Sequence, residues 1–225
     1  MIHSPQTEQE LLERAHYLMG KPLGYFIEQK NTAHKGIIGQ SLEKALGADA
    51  GNAAEPDFKK LQIELKTLPV GKNGRPREST FVTTVSLTQM VLETWETSRV
   101  YHKLKHVLWV PIEADSDIPF SERRIGQAFL WRPDNQQISI LKSDWEEFSN
   151  RIALGQLETI TAKEGVFLQI RPKAADGQSL SFGWDAQGCK IKTLPRGFYL
   201  RANFTAELYK QSLGHNALIK INEVT

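Results

Sequence analysis

Asp57, Glu64 and Lys66 are the residues whose types and spacing could hydrolyse a phosphodiester. Carboxylates supply hard oxygen donors for Mg²⁺, the ion polarises phosphate and acidifies water, and a lysine orients that water or offsets developing charge. The three lie in the run Glu55-Pro56-Asp57-Phe58-Lys59-Lys60-Leu61-Gln62-Ile63-Glu64-Leu65-Lys66-Thr67. From Leu61 to Thr67 apolar and polar residues alternate, which is the period of a half-buried strand. Leu61, Ile63 and Leu65 then point to a core, and Glu64 and Lys66 are neighbours on the other face. The residues between Asp57 and Glu64 can fold back as a turn or short first strand, bringing one carboxylate beside the other.

An E-x-K triplet arises by chance roughly once in a chain of this size. Taken alone, the pattern describes a solvated strand face with an ion pair at least as well. The chain carries its own control, because Glu28-Gln29-Lys30 has the same form with no aspartate before it. Only the second copy has the full constellation.

The elements that must position these groups follow from periodicity. Thr7 to Met19 reads as a helix capped by Thr7 and stopped by Gly20, and a short helix follows Pro22. His34 to Gly47 reads as a helix with Ile38, Leu42, Ala45 and Leu46 inward. Glu43, at the rim of that stripe, could reach the carboxylates or be a plain surface glutamate. Phe81 to Leu87 alternates as a strand. Val100 to Val110 also reads as a strand, which sets His102 and His106 about 13 Å apart and argues against a zinc site. Ser143 to Leu154 reads as a helix capped by Ser143. Val166 to Arg171 and Gly197 to Leu200 read as strands with a loop at Gly183 to Gly188, and Asn203 or Thr205 caps a last helix through Leu213.

At 225 residues, 40% hydrophobic and 24% charged, the composition is that of an ordinary globular protein of one large domain or two lobes. The net charge of +2 leaves any affinity for a polyanion to local patches. Arg99 to Lys105 holds three basic residues and no acid, and Lys163 to Lys210 holds eight Lys/Arg against four Asp/Glu. Glu113 to Glu158, with nine acids and five bases, reads as a face turned away from a polyanion. The single cysteine, Cys189, excludes an internal disulfide and a multi-thiolate zinc site, and reads as a packing residue. No long apolar run opens the chain, so the expectation is a cytoplasmic protein without a signal peptide or membrane span.

Several longer strings change the odds: Ala48-Asp49-Ala50-Gly51, Ile63-Glu64-Leu65-Lys66-Thr67, Thr94-Trp95-Glu96-Thr97-Ser98, His102-Lys103-Leu104-Lys105-His106-Val107-Leu108-Trp109, Leu168-Gln169-Ile170-Arg171-Pro172-Lys173 and Thr193-Leu194-Pro195-Arg196-Gly197-Phe198-Tyr199-Leu200. From about Lys35 to Leu208 the chain resembles the MutH family of mismatch-repair endonucleases. Tyr101 departs from the arginine of that family, and the resemblance does not extend to the tail after Ser212. The resemblance implies an α/β, restriction-endonuclease-like fold: a mixed β-sheet core flanked by helices, with two lobes around a DNA-binding cleft. The catalytic lobe would be roughly 1–110 and the recognition lobe roughly 111–225. It implies Mg²⁺-dependent nicking, with Mn²⁺ as substitute, of the unmethylated strand at hemimethylated GATC in double-stranded DNA, by a monomer that MutL activates. By position, Asp57 and Glu64 resemble the metal ligands, joined by the Leu65 carbonyl and by Glu43 as the additional acid. Lys66 resembles the catalytic lysine and Lys103 a phosphate-facing helper. Arg171, Pro172, Lys173 and Tyr199 match the DNA-recognition and methylation-sensing segments, with Phe81 and Lys35 as further contacts.

Beside this stands the plain chemistry. Arg171 can fork onto guanine O6 and N7 or serve as a phosphate or solvent group. Tyr199 can meet an adenine edge where an N6-methyl would stand, or be a core tyrosine on a strand. The rival functions are a restriction enzyme cutting both strands of GATC, which needs two active sites, and a GATC-binding module without catalysis.

Overall fold

Strand β1 (Glu64–Val70) is the element on which the first part of the fold is assembled. Its approach is a tight turn: Phe58 and Ile63 exchange main-chain hydrogen bonds (2.9 and 3.3 Å), and Gln62 closes the turn at φ 55°. That turn consumes Leu61 and Gln62, so the strand starts at Glu64 and not at Leu61. Ile63 and Leu65 are buried in the core as their alternation predicts. The structure, a computed structural model, describes residues 3–27, 36–51, 55–87, 93–173 and 180–222.

The chain forms two compact units, each gathered from separated stretches: residues 1–78, 106–132 and 202–225 in one, and 79–105 and 133–201 in the other. In the first, β1 pairs in parallel with β3 (Val107–Glu113), in register Glu64↔Val107 to Val70↔Glu113, and β3 pairs antiparallel with β4 (Phe129–Trp131). One face of this mixed sheet buries Leu65, Leu108 and Val110 against α1 (Glu8–Leu18) and α2 (Ile37–Leu46). The other carries Trp109, Phe129 and Trp131, which meet Phe204 and Tyr209 of α5 (Ala202–Asn222). The register places Glu64 and Lys66 on this aromatic face.

In the second unit, β2 (Thr80–Thr84) and β5 (Leu168–Pro172) flank β8 (Arg196–Leu200) in an antiparallel sheet. Helix α4 (Asn135–Ala153) packs behind it, with Phe148 against Phe198. A ribbon of β6 (Ser181–Trp184) and β7 (Lys190–Thr193) and the short helix α3 (Arg99–Leu104) complete the unit. No helix among the described residues is long and apolar enough to cross a membrane.

Several elements differ from the sequence expectation, each for a local reason. The predicted strand over Val100–Val110 is α3 followed by β3. Ser98 Oγ accepts the Tyr101 N–H (3.1 Å), a cap that starts a helix, and Val100 and Leu104 are buried at helical spacing. His102 therefore lies in α3, and His106 in the bend between α3 and β3. Helix α4 begins two turns before Ser143, where Asp134 and Gln137 form a capping box (2.8 and 3.2 Å). Residues 183–188 are the end of a strand and a turn, not a plain loop. Cys189 is exposed beside that turn and does not pack. Asn203 and Thr205 lie inside α5, which starts at Ala202 and continues past Leu213.

Candidate functional site

Successive strand residues turn their main-chain N–H and C=O groups alternately to either side. Ile63 turns to Phe58, and the Glu64 N–H donates to the His106 carbonyl on the β3 side (3.0 Å). Leu65 turns back to the other edge, where its N–H donates to Asp57 Oδ2 (2.8 Å). The Leu65 carbonyl faces that same edge. Asp57 is thus bound to the strand immediately beyond Glu64, and the turn at Gln62 does the positioning.

Lys66 Nζ donates to Glu64 Oε1 at 3.2 Å. All three charged groups are buried, with Asp57 8%, Glu64 5% and Lys66 7% exposed. Enclosing two carboxylates with one ammonium is costly, and a cation held among them offsets that cost. The donors are carboxylate and carbonyl oxygens without thiol or imidazole, a set that fits a hard divalent ion such as Mg²⁺. Among the described residues no three His, Cys, Asp or Glu side chains are grouped to hold a metal ion. Glu43 is half-buried on α2, with Oε1 3.8 Å from where a β-carbon on Gly39 would stand. His106, whose carbonyl receives the Glu64 N–H, is held below its ordinary pKa by burial and by the Arg132 charge, against an opposing pull from Glu8. Lys103 lies half-buried in the last turn of α3, in the second unit.

In that unit, Phe81, Arg171, Lys173 and Tyr199 meet on one face of the β2-β8-β5 sheet. Phe81 pairs in register with Tyr199, and their rings meet edge to face at 5.4 Å. The Arg171 guanidinium lies 5.8 Å from the Tyr199 ring and donates to Ser79 Oγ (2.7 Å). The Lys173 ammonium lies 3.9 Å over the Phe81 ring and donates to Thr84 Oγ1 (3.1 Å). Partial enclosure there lowers the Lys173 pKa from its ordinary 10.5. Pro172 is exposed at the end of β5, opposite Arg196. Lys35 lies outside the described residues.

Four supports of this face escape sequence reasoning. Gly197 stands between the rings, and a β-carbon there would be 2.9 Å from Phe81 Cε2 and 3.0 Å from Tyr199 Cε2. A glycine inside a strand that ends in aromatics is the signal that could have found it. Asp144, buried on α4, accepts the N–H groups of Val166, Phe167 and Leu168 (2.7–3.0 Å) and so sets where β5 begins. Ser79 and Thr84 carry no signal beyond being polar.

Residues 46–144 match the family model described as DNA mismatch repair enzyme MutH. The DNA mismatch repair protein MutH of Shewanella woodyi is 47% identical over 219 residues, covering 94% of this chain and 95% of the relative. That of Pasteurella multocida is 49% identical over 220 residues, covering 93% and 98%. That of Escherichia coli O127:H6 is 47% identical over 215 residues, covering 92% and 94%.

Proposed function

Because this chain belongs to the MutH family of DNA mismatch repair enzymes, we propose that it is a Mg²⁺-dependent endonuclease that nicks the unmethylated strand of hemimethylated GATC and is activated by MutL. Its fold is the α/β, restriction-endonuclease-like one, a mixed sheet flanked by helices. The observation that carries the reading is the buried corner in which the Leu65 N–H ties Asp57 beside the Glu64–Lys66 pair.

Asp57, Glu64 and the Leu65 carbonyl would hold the ion, which supplies Lewis acidity at the scissile phosphate when bound. Lys66, bonded to Glu64, would orient the attacking water and offset the charge that builds on the phosphate oxygens. Water attacks phosphorus in line, the P–O3′ bond breaks, the 3′ oxygen takes up a proton, and the product carries a 5′-phosphate. Glu43 adds a carboxylate from α2, and Lys103 faces a backbone phosphate of the same duplex. Arg171 forks onto guanine, and Tyr199 packs against the adenine edge, where an added methyl changes the contact. Phe81, Pro172, Lys173 and Lys35 are the accompanying DNA contacts.

A strand-resolved nicking assay on unmethylated, hemimethylated and fully methylated duplexes, with and without MutL, tests this. Cutting should fall on the unmethylated strand, rise with MutL, need Mg²⁺ or Mn²⁺, and stop with chelator. Linear plasmid made without MutL at low enzyme concentration would instead mark a restriction enzyme. Tight GATC binding without cleavage in either metal would mark a binding module.

A further inference from the structure

The β6–β7 ribbon has two unlike faces. Directly paired residues share a face, so the register puts Ser181, Gly183, Ile191 and Thr193 on one side and Phe182, Trp184, Lys190 and Lys192 on the other. The first side packs inward. Gly183 and Thr193 are buried, and a β-carbon on Gly183 would stand 3.5 Å from Thr193 Cγ2 and 3.8 Å from Leu87. The second side is open, with Phe182 48% and Trp184 43% exposed and both lysines exposed. The other tryptophans, Trp95, Trp109, Trp131 and Trp145, are all buried, so Trp184 alone among them is spent on solvent.

Charge says what covers this face. Lys190 and Lys192 are positive, while the neighbouring acid, Asp185, turns Oδ1 into the hairpin turn to accept the Gln187 and Cys189 N–H groups (3.0 and 2.8 Å). The Lys190 ammonium stands 4.2 Å over the Phe182 ring. A ring so covered is a poor platform for a base, but an ammonium held in place suits a phosphate. Continuity says which polyanion. The Lys173 N–H donates to the Pro195 carbonyl (2.8 Å), and β7 passes through Leu194 and Pro195 into β8, the strand of Tyr199. The ribbon therefore grows from the end of the sheet that carries Arg171 and Lys173.

We propose that the outer face of this ribbon is a second DNA-contact surface, which grips the sugar–phosphate backbone of the duplex outside the sequence read by the sheet. It rests on the reading above, in which the sheet face meets DNA. The test compares wild type with Lys190→Ala/Lys192→Ala, Lys190→Glu/Lys192→Glu and Lys190→Arg/Lys192→Arg. Affinity is measured over a range of salt for a GATC duplex with extended flanks and for one without GATC. The alanine pair should flatten the slope of log affinity against log salt by about 1 to 2. Affinity should fall by the same factor on both duplexes, further for the glutamate pair and not for the arginine pair. In the wild-type complex, acrylamide quenching of Trp184 should drop. An unchanged slope with Trp184 still fully quenchable, in a protein that nicks normally, overturns the proposal. Unchanged DNA binding with lost MutL stimulation also overturns it and makes the face a protein-docking surface. A wild-type protein that neither binds nor nicks GATC overturns the functional reading instead.

Discussion

Around Asp57 the charged groups are buried, opposite in sign and bonded to one another or to the main chain. Around Tyr199 they are cations held out beside aromatic rings, with hydroxyl groups for partners. The first arrangement suits chemistry, because charge fixed in a dry corner need not reorganise when a transition state forms. The second suits a polymer, because an exposed ammonium or guanidinium keeps its donors for an incoming phosphate or base. One chain thus buries its acids in one corner and holds bases out beside the rings of another face.

The sharpest way to break this contrast is to remove charge from the corner without changing its shape. Asp57→Asn keeps an oxygen for the Leu65 N–H, and Glu64→Gln keeps one for Lys66. Nicking should fall at least about a thousandfold, roughly 4 kcal/mol of barrier, for either variant. Duplex affinity should stay near that of wild type. Single-turnover nicking beside a binding titration measures both, and a wild-type nicking rate in either variant would end the assignment.

Much of the corner is legible in the sequence because its signals are periodic. Ile63 and Leu65 are buried where the alternation puts them, and that fixes the face of Glu64 and Lys66. The bond between Asp57 and Leu65 is not legible, since it depends on Gln62 adopting a left-handed conformation that no glycine or asparagine advertises. The face around Tyr199 is less legible still. Its partners come from β2, β5 and β8, far apart in the chain, and pairing register is a tertiary outcome. The misread elements share a cause. Val100 and Leu104 fit a strand parity as well as a helix stripe, and only the Ser98 cap decides between them. The polar run before Ile138 resembles a loop until Asp134 and Gln137 are recognised as a reciprocal cap.

A smaller effect comes from Gly197→Ala. The new β-carbon cannot coexist with both rings, so Phe81 and Tyr199 must part. An edge-to-face pair contributes about 0.5–1.5 kcal/mol, so the affinity ratio of GATC to non-GATC duplex should shrink by roughly two- to twelvefold. Competition binding with the two duplexes reads this directly. An unchanged ratio would mean that the ring pair does not support sequence reading.

The smallest effect is one of pH, and it separates the two regions by the sign of the charge each needs. Enclosure beside Phe81 lowers the Lys173 pKa from 10.5, so rising pH removes this charge before that of an ordinary lysine. For folding, the cost of enclosing the ammonium is fully present below the lowered pKa and gone above the unfolded value, so stability rises with pH between the two. For binding the sign is opposite, because DNA prefers the charged form: affinity should fall as pH climbs through the lowered pKa. Lys173→Arg keeps its charge throughout, so its affinity should stay level over the same interval while wild type weakens. Titrations of both proteins from neutral pH towards 10.5 measure the difference. Parallel curves would show that the Lys173 ammonium does not meet the duplex, leaving Arg171 as the cation of this face that does.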